Sequence, residues 1–129
     1  MSRYVLDTTA LIDLSKGREP ARSWIPAVME SDDELAVCAV NIAEFFAGLP
    51  PDRRATWDQF FAALPCWPIS PGAARQAGIW RYDFARRGVT LSLPDTLIAA
   101  VAGEYSATIV TSNAKDYPME GLALLVWDR

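Results

Sequence analysis

The chain has 129 residues, of which 51% are hydrophobic and 22% charged, and this composition excludes disorder over most of its length. It contains no histidine, which excludes Ser-His-Asp and Cys-His hydrolases, histidine-based acid–base catalysis and histidine-ligated zinc or iron sites. The net charge of −4 provides no overall positive field that would attract nucleic acid.

The length predicts one domain over residues 1–129, since domains typically run to ~100–150 residues. Cys38 and Cys66 lie in apolar stretches, so both are predicted to be buried thiols of a reducing compartment. Acidic residues interrupt the N-terminal apolar segment, and the longest apolar run, 97–103, is far shorter than the ~20 residues of a membrane helix. We therefore expect a cytoplasmic protein without a membrane segment.

Local patterns predict strands that alternate with helices along the whole chain. In the first half, strands are predicted at 3–7 and 35–40, and helices at 8–14, 20–29, 42–49 and 53–64. In the second half, strands are predicted at 66–69, 108–111 and 122–127, and helices at 71–87 and 93–102. Asn41 is expected to cap the third helix, and Ser70 the helix at 71–87. This alternation predicts an α/β sandwich around a mostly parallel sheet.

Acidic residues follow the predicted strands, where parallel sheets bind their ligands. The four acids are Asp7, Glu44, Asp95 and Asp116, and two polar residues, Thr9 and Asn113, lie beside them. Clustered carboxylates repel one another and raise each other's pKa, which a bound divalent cation relieves. Mg²⁺ and Mn²⁺ prefer carboxylate and water oxygens and often act on phosphate esters, so this chemistry needs no histidine.

Two of the four acids also have an ordinary structural explanation. Asp95 fits a carboxylate at a helix start, and Asp116 fits a turn residue. Glu44 lies within the apolar segment NIAEFF, where a charge needs a partner. Asp13 follows Asp7 by six residues and is interpreted as a solvated helix residue rather than a fifth ligand.

Four segments of the chain resemble, in the same order, the four motifs of PIN-domain ribonucleases. They are most similar to the VapC-type toxins of VapBC type II toxin–antitoxin systems. The segments are VLDTTALIDL, VNIAEFFAGL, LPDTLIAAVA and ATIVTSNAKDY, within residues 4–117. The triplet Asp-Thr-Thr alone is a weak signal, but four segments in order over nearly the whole chain are specific.

The resemblance implies a three-layer α/β/α sandwich, one PIN domain, and an acidic site that binds Mg²⁺ or Mn²⁺. It assigns the metal to Asp7, Glu44, Asp95 and Asp116, held directly or through waters. Thr9 and Asn113 would orient the ligands or the attacking water. The implied reaction is endonucleolytic cleavage of RNA by a metal-activated water, leaving a 3′-hydroxyl and a 5′-phosphate. Toxins of this family form homodimers, and a cognate VapB-type antitoxin silences them, often by placing an arginine in the acidic site.

The last motif departs from the family pattern at two positions. Ser112 stands where many relatives carry Arg or His, and Tyr117 stands where Phe is usual. The loss of a basic group at position 112 is expected to affect the grip on the substrate and to leave the metal ligands untouched.

Three other readings of the chain remain open. It could be a PIN nuclease of RNA processing rather than a toxin, or a PIN-like domain that binds RNA or protein without cutting. Phosphotransfer at an aspartate is a weaker alternative, because phosphatases of that kind need a second acid where Thr9 stands.

Two groups of residues outside the motifs have two readings each. Arg75, Arg81, Arg86 and Arg87 either bind RNA phosphates or form a solvated face with Asp83. An aromatic stripe packs in the core or lines a groove for an antitoxin helix: Trp57, Phe60, Phe61 and Leu64. Trp80 and Tyr82 fit core, dimer-contact or base-stacking roles.

Overall fold

The computed structural model describes residues 1–127. The strands are β1 (Arg3–Leu6), β2 (Glu34–Cys38), β3 (Cys66–Trp67), β4 (Thr108–Thr111) and β5 (Ala123–Val126). The helices are α1 (Thr8–Ser15), α2 (Ala21–Met29), α3 (Ala39–Ala47), α4 (Arg54–Ala62), α5 (Pro71–Arg86) and α6 (Leu93–Glu104). Two short 3-10 turns, Pro51–Arg53 and Ala114–Asp116, precede α4 and β5.

The five strands form one parallel sheet in the order β3-β2-β1-β4-β5. The first strand lies at the centre, where Tyr4 pairs with Leu35 of β2 on one side and with Thr108 of β4 on the other. The chain adds strands outward from β1 toward β3 and then crosses to the other side to add β4 and β5. The boundary between β1 and β4 is therefore the topological switch point, whose carboxyl ends are the usual ligand crevice of such sheets.

Helices cover both faces of the sheet, which confirms the predicted α/β/α sandwich. On one face, the buried side chains of Leu11, Ile25 and Phe45 pack from α1, α2 and α3 against the sheet. On the other face, Phe84 of α5 and Ile98 of α6 form the second core. Within residues 1–127, no helix is long and apolar enough to cross a bilayer.

The predicted boundary between the second strand and the third helix was wrong. The strand ends at Cys38 and α3 begins at Ala39, whereas the sequence pattern predicted a strand to residue 40. Asn41 is therefore not the helix cap but lies in the first turn, where its Oδ1 accepts a hydrogen bond from the Cys38 backbone N–H at 3.2 Å. This bond satisfies the backbone donor at the helix start, so the apolar residues 39 and 40 continue into a helix.

Two side chains have the opposite exposure to that predicted. Asp13 is 1% exposed, and its Oδ1 lies 3.3 Å from Nη1 of Arg18 in an ion pair. It is buried because α1 turns this residue toward the interior, and the arginine offsets its charge. Cys66 is exposed, since it belongs to the two-residue edge strand β3, whereas Cys38 is buried as predicted.

Candidate functional site

Asp7 lies at the switch point, directly after β1. Its backbone N–H donates to the Val110 carbonyl of β4 at 3.0 Å, which fixes the residue between the two central strands. Its Oδ1 accepts a hydrogen bond from the Ala10 backbone N–H at 3.0 Å and so caps α1. The side chain is 2% exposed. Asp7 therefore caps α1 and is also the most deeply buried of the four acids.

Two hydroxyl groups hold the Asp7 carboxylate, and a third lies behind one of them. The Thr9 hydroxyl donates to Oδ1 at 2.6 Å and accepts from the Ser112 backbone N–H at 2.9 Å. Thr111 of β4 lies behind it, with its Oγ1 3.3 Å from that of Thr9. The Tyr117 hydroxyl donates to Oδ2 of Asp7 at 3.0 Å. The Tyr117 phenol thus reaches back from the last motif to the acid that follows the first strand.

Glu44 projects from α3 and is exposed at the rim of the site. The Thr8 hydroxyl donates to its Oε1 at 2.6 Å, and Thr8 in turn accepts from Nδ2 of Asn41 at 3.2 Å. Asn41 is fully buried, and its two amide atoms bond Thr8 and the Cys38 backbone. A hydrogen-bonded chain from the base of α3 thus fixes the direction of the Glu44 carboxylate.

Asp95 lies in the first turn of α6, as predicted for a carboxylate at a helix start. Ser92 caps this helix: its Oγ accepts from the Asp95 backbone N–H at 3.2 Å and donates to Asp95 Oδ2 at 2.7 Å. Asp116 ends the 3-10 turn after β4, where the Asn113 side chain donates a hydrogen bond to it. Both loops bring their acids to the carboxyl ends of the central strands.

The electrostatics show that the four acids share one region. Burial and then the charges of Asp116, Asp7 and Glu44 raise the pKa of Asp95 from its ordinary 3.8 to about 6, partly offset by Ser92. Burial and the charge of Asp7 also raise the pKa of Asp116. Burial, followed by the charges of Asp7 and Asp95, raises the pKa of the Tyr117 phenol. The arrangement concentrates negative charge in a partly desolvated crevice, which favours a bound cation.

The donor set fits a divalent cation that keeps part of its water. Within residues 1–127, no three Asp, Glu, Cys or His side chains lie close enough together to enclose a metal ion directly. Mg²⁺ usually retains several waters and binds through one or two carboxylates, so a closed protein cage is not required. Hard carboxylate oxygens suit such an ion better than they suit a soft transition metal.

The arginines at the end of α5 contact their own helix and the loop after it. The guanidinium of Arg86 lies 4.3 Å from the ring centroid of Tyr82, and that of Arg87 lies 3.9 Å from Phe84. Nε of Arg81 donates to the Leu91 carbonyl at 3.1 Å. A role in RNA binding stays a prediction.

The aromatic stripe of α4 is mainly core. Trp57 is buried, and its ring lies 4.6 Å from that of Phe45. Phe60 and Phe61 are partly buried; the Phe60 ring packs edge-on against Trp57, and the Phe61 ring lies tilted beside it. The core interpretation is confirmed for Trp57 and Leu64, both of which are buried.

The sequence model of the PIN domain family matches residues 4–118. The chain belongs to the PIN domain family. The chain is similar to Ribonuclease VapC10 of Mycobacterium tuberculosis. The two are 30% identical over 116 residues, which cover 89% of this chain and 86% of the relative. Ribonuclease VapC19 of the same organism is 28% identical over 117 residues, which cover 89% and 92% of the two chains. The resemblance seen in the four motifs is confirmed.

Solved structures share the PIN fold of this chain. VapBC2 from Rickettsia felis, bound to a DNA fragment from its promoter, matches with a TM-score of 0.84 and 22% identity over 98% of this chain and 99% of that chain. DNA-bound VapBC from Salmonella typhimurium matches with a TM-score of 0.81 and 23% identity over the same shares. These likenesses confirm the fold.

Four residues of the site were missed in the sequence: Thr8, Asn41, Ser92 and Thr111 hold the acids or their neighbours. Ser92 carried a signal, since a serine three residues before an acid fits a capping box. Thr8 and Asn41 carried none, because their bonds join residues more than 30 positions apart.

Proposed function

We propose that this PIN-domain protein is a divalent-metal-dependent endoribonuclease, the toxin of a VapBC-type toxin–antitoxin pair. The observation that carries the proposal is the electrostatic coupling of Asp95 to Asp116, Asp7 and Glu44 at the carboxyl ends of the central strands. Similarity to proteins named Ribonuclease VapC supports the choice of RNA as substrate.

Asp7, Glu44, Asp95 and Asp116 would hold Mg²⁺ or Mn²⁺, directly or through waters. A divalent ion bound there supplies an activated water nucleophile at neutral pH and stabilises charge on the scissile phosphate. Without it, the four carboxylates would repel the phosphodiester, because the crevice carries a concentrated negative charge.

The remaining site residues orient the acids. Thr9 and Tyr117 fix the two oxygens of Asp7, while Thr8 directs the carboxylate of Glu44. Asn113 orients Asp116 in the same way, by a side-chain hydrogen bond. Such support keeps the carboxylates in place before substrate binds, so little reorganisation is required during the reaction. With no histidine in the chain, proton transfer near neutral pH is left to carboxylates and solvent.

We further propose that a VapB-type antitoxin covers the acidic site and that the chain acts as a homodimer. One solved structure of similar fold is a toxin–antitoxin complex from Klebsiella pneumoniae, which supports a protein partner of this kind. An antitoxin arginine would find strong electrostatic attraction among the four acids, because a guanidinium pairs with carboxylates in bidentate geometry.

The test is cleavage of total RNA by the purified chain in Mg²⁺, in Mn²⁺ and in EDTA, with the new ends mapped. We expect discrete cuts that require metal and disappear in Asp7→Asn and Asp95→Asn. Asp58→Asn, which changes an exposed acid of α4, is the matched control and should cut normally. A chain refolded free of any bound antitoxin that cuts no RNA in either metal would overturn the proposal, as would full activity in Asp7→Asn.

A further inference from the structure

A groove adjoins the acidic site on the side of Glu44. It has a volume of about 260 Å³ and lies between the end of α1, the middle of α3 and the turn before α4. Its apolar lining comes from Ile12, Phe45 and Leu49. Because Glu44 also lines it, the groove continues directly from the crevice where the four acids lie.

Two cations face this groove. Lys16 and Arg53 line it, and both are exposed. Nη2 of Arg53 donates to the Ser15 carbonyl at 3.3 Å, which holds the guanidinium over the end of α1. Within residues 1–127, the Lys16 ammonium makes no hydrogen bond or ion pair. The groove therefore carries two positive charges against the single charge of Glu44, beside a site that is otherwise acidic.

We propose that this groove binds the nucleotide adjoining the scissile phosphate of a single-stranded RNA, with Lys16 and Arg53 on its phosphate. The inference rests on the proposed nuclease function. A strand that enters the acidic crevice is repelled by four carboxylates, so it requires cations at the neighbouring phosphate. Lys16 and Arg53 supply them at the edge of the crevice, while the apolar lining accepts an unstacked base.

The charges predict a quantitative salt dependence. Each phosphate contact to a single strand contributes about −0.7 to the slope of log affinity against log salt. The two cations neutralise one phosphate, so loss of both should reduce the slope by about 0.7, which corresponds to roughly 5-fold weaker binding near 0.1 M salt.

The experiment compares the wild-type chain with the double variant Lys16→Gln, Arg53→Gln. Binding is measured in EDTA by fluorescence anisotropy over a range of salt concentrations. The probe is a labelled single-stranded oligonucleotide copied from a mapped cut, or oligouridylate of equal length where no cut is mapped. Arg22→Gln, which changes an exposed cation of α2 that does not line the groove, is the matched control. The variant Arg53→Lys keeps the positive charge, so it should retain most of the wild-type slope.

We expect the double variant to show the reduced slope and a higher KM with kcat changed less than about twofold. An unchanged slope and affinity in a double variant that melts like the wild type would overturn the proposal. So would loss of affinity for an antitoxin peptide alone, which would make the groove a protein-binding site. Because binding in EDTA needs no cleavage, a chain that binds with this slope but never cuts refutes the proposed function and not the groove.

Discussion

Tyr117 links the last motif of the chain to the first acid, and Tyr117→Phe tests that link. The change removes the hydroxyl that donates to Asp7 Oδ2 at 3.0 Å and leaves the ring in place. Both partners are buried, with Tyr117 3% and Asp7 2% exposed. In the variant, Oδ2 of Asp7 keeps no hydrogen-bond donor among residues 1–127, whereas Oδ1 keeps two.

The expected cost follows from these contacts. A hydrogen bond to a charged group contributes about 1.5–3 kcal/mol, and the two remaining donors on Asp7 place this one at the lower end, about 1.5 kcal/mol. An unfolding entropy of roughly 2.1 cal/mol/K per residue converts that to a fall in Tm of about 5–6 °C for a chain of this length. The fall should be measured in EDTA by circular dichroism or calorimetry.

A divalent cation should reverse the loss. Oδ2 of Asp7 no longer shares a lone pair with the phenol, so Mn²⁺ should bind the variant about 3- to 10-fold more tightly, which is roughly 0.7–1.4 kcal/mol. Saturating Mn²⁺ should then close most of the gap in Tm. Titration calorimetry measures the affinity directly.

Two results would refute this reasoning. One is a Tm in EDTA equal to that of the wild type, and the other is a deficit of the same size with and without Mn²⁺. Tyr82→Phe is the matched control, because Tyr82 is 61% exposed and should change neither quantity.

Three further predictions concern the acids and their supports. Asp95→Asn should raise the Tm of the metal-free chain near pH 8 and leave it unchanged near pH 4. The folded-state pKa of Asp95, about 6, lies above the ordinary 3.8, so the stability present at low pH is lost as pH rises through that value. Thr8→Val should lower kcat about tenfold through misdirected Glu44, with Thr8→Ser near wild type. Asp13→Ala should cost about 2–3 kcal/mol of stability, because the ion pair with Arg18 is half buried, and leave kcat unchanged.

Each of these has a contrary outcome. A lower Tm for Asp95→Asn at high pH would mean that the carboxylate stabilises the fold. A rise in KM alone for Thr8→Val would place Thr8 in RNA binding rather than in orienting Glu44. Loss of cleavage in a folded Asp13→Ala chain would place Asp13 in the site.

Local sequence signals predicted the fold well where one element determines itself. The strand Thr108–Thr111 was predicted with its observed bounds, and Ser70 caps α5 as expected. The boundary at Cys38 was missed because apolar residues 39 and 40 suit either a strand or a helix. The hydrogen bond from the Cys38 backbone to the Asn41 side chain favours the helix, and hydrophobic periodicity does not reveal that bond.

The site could be predicted only in its acids. Their place at strand ends follows from the alternation of strands and helices, which the sequence displays. The bond from Tyr117 to Asp7 spans 110 positions, and no local pattern reports a contact of that separation. Asp13 and Asp7 look alike in the sequence, since both are aspartates beside one helix. Only the packing of α1 shows that Asp13 is buried and pairs with Arg18.

The central position of β1 also determines when its strand pairs can form during synthesis. Tyr4 pairs with Thr108, so one edge of the first strand waits for a partner synthesised 104 residues later. At ~5–20 residues per second, that edge stays open for roughly 5–20 s on the ribosome, a period in which it is prone to pair with other chains. Asp116 is synthesised later still, so the four acids cannot come together before residue 116 has been made. The proposed metal site therefore stays incomplete for the whole period in which this edge of β1 is open.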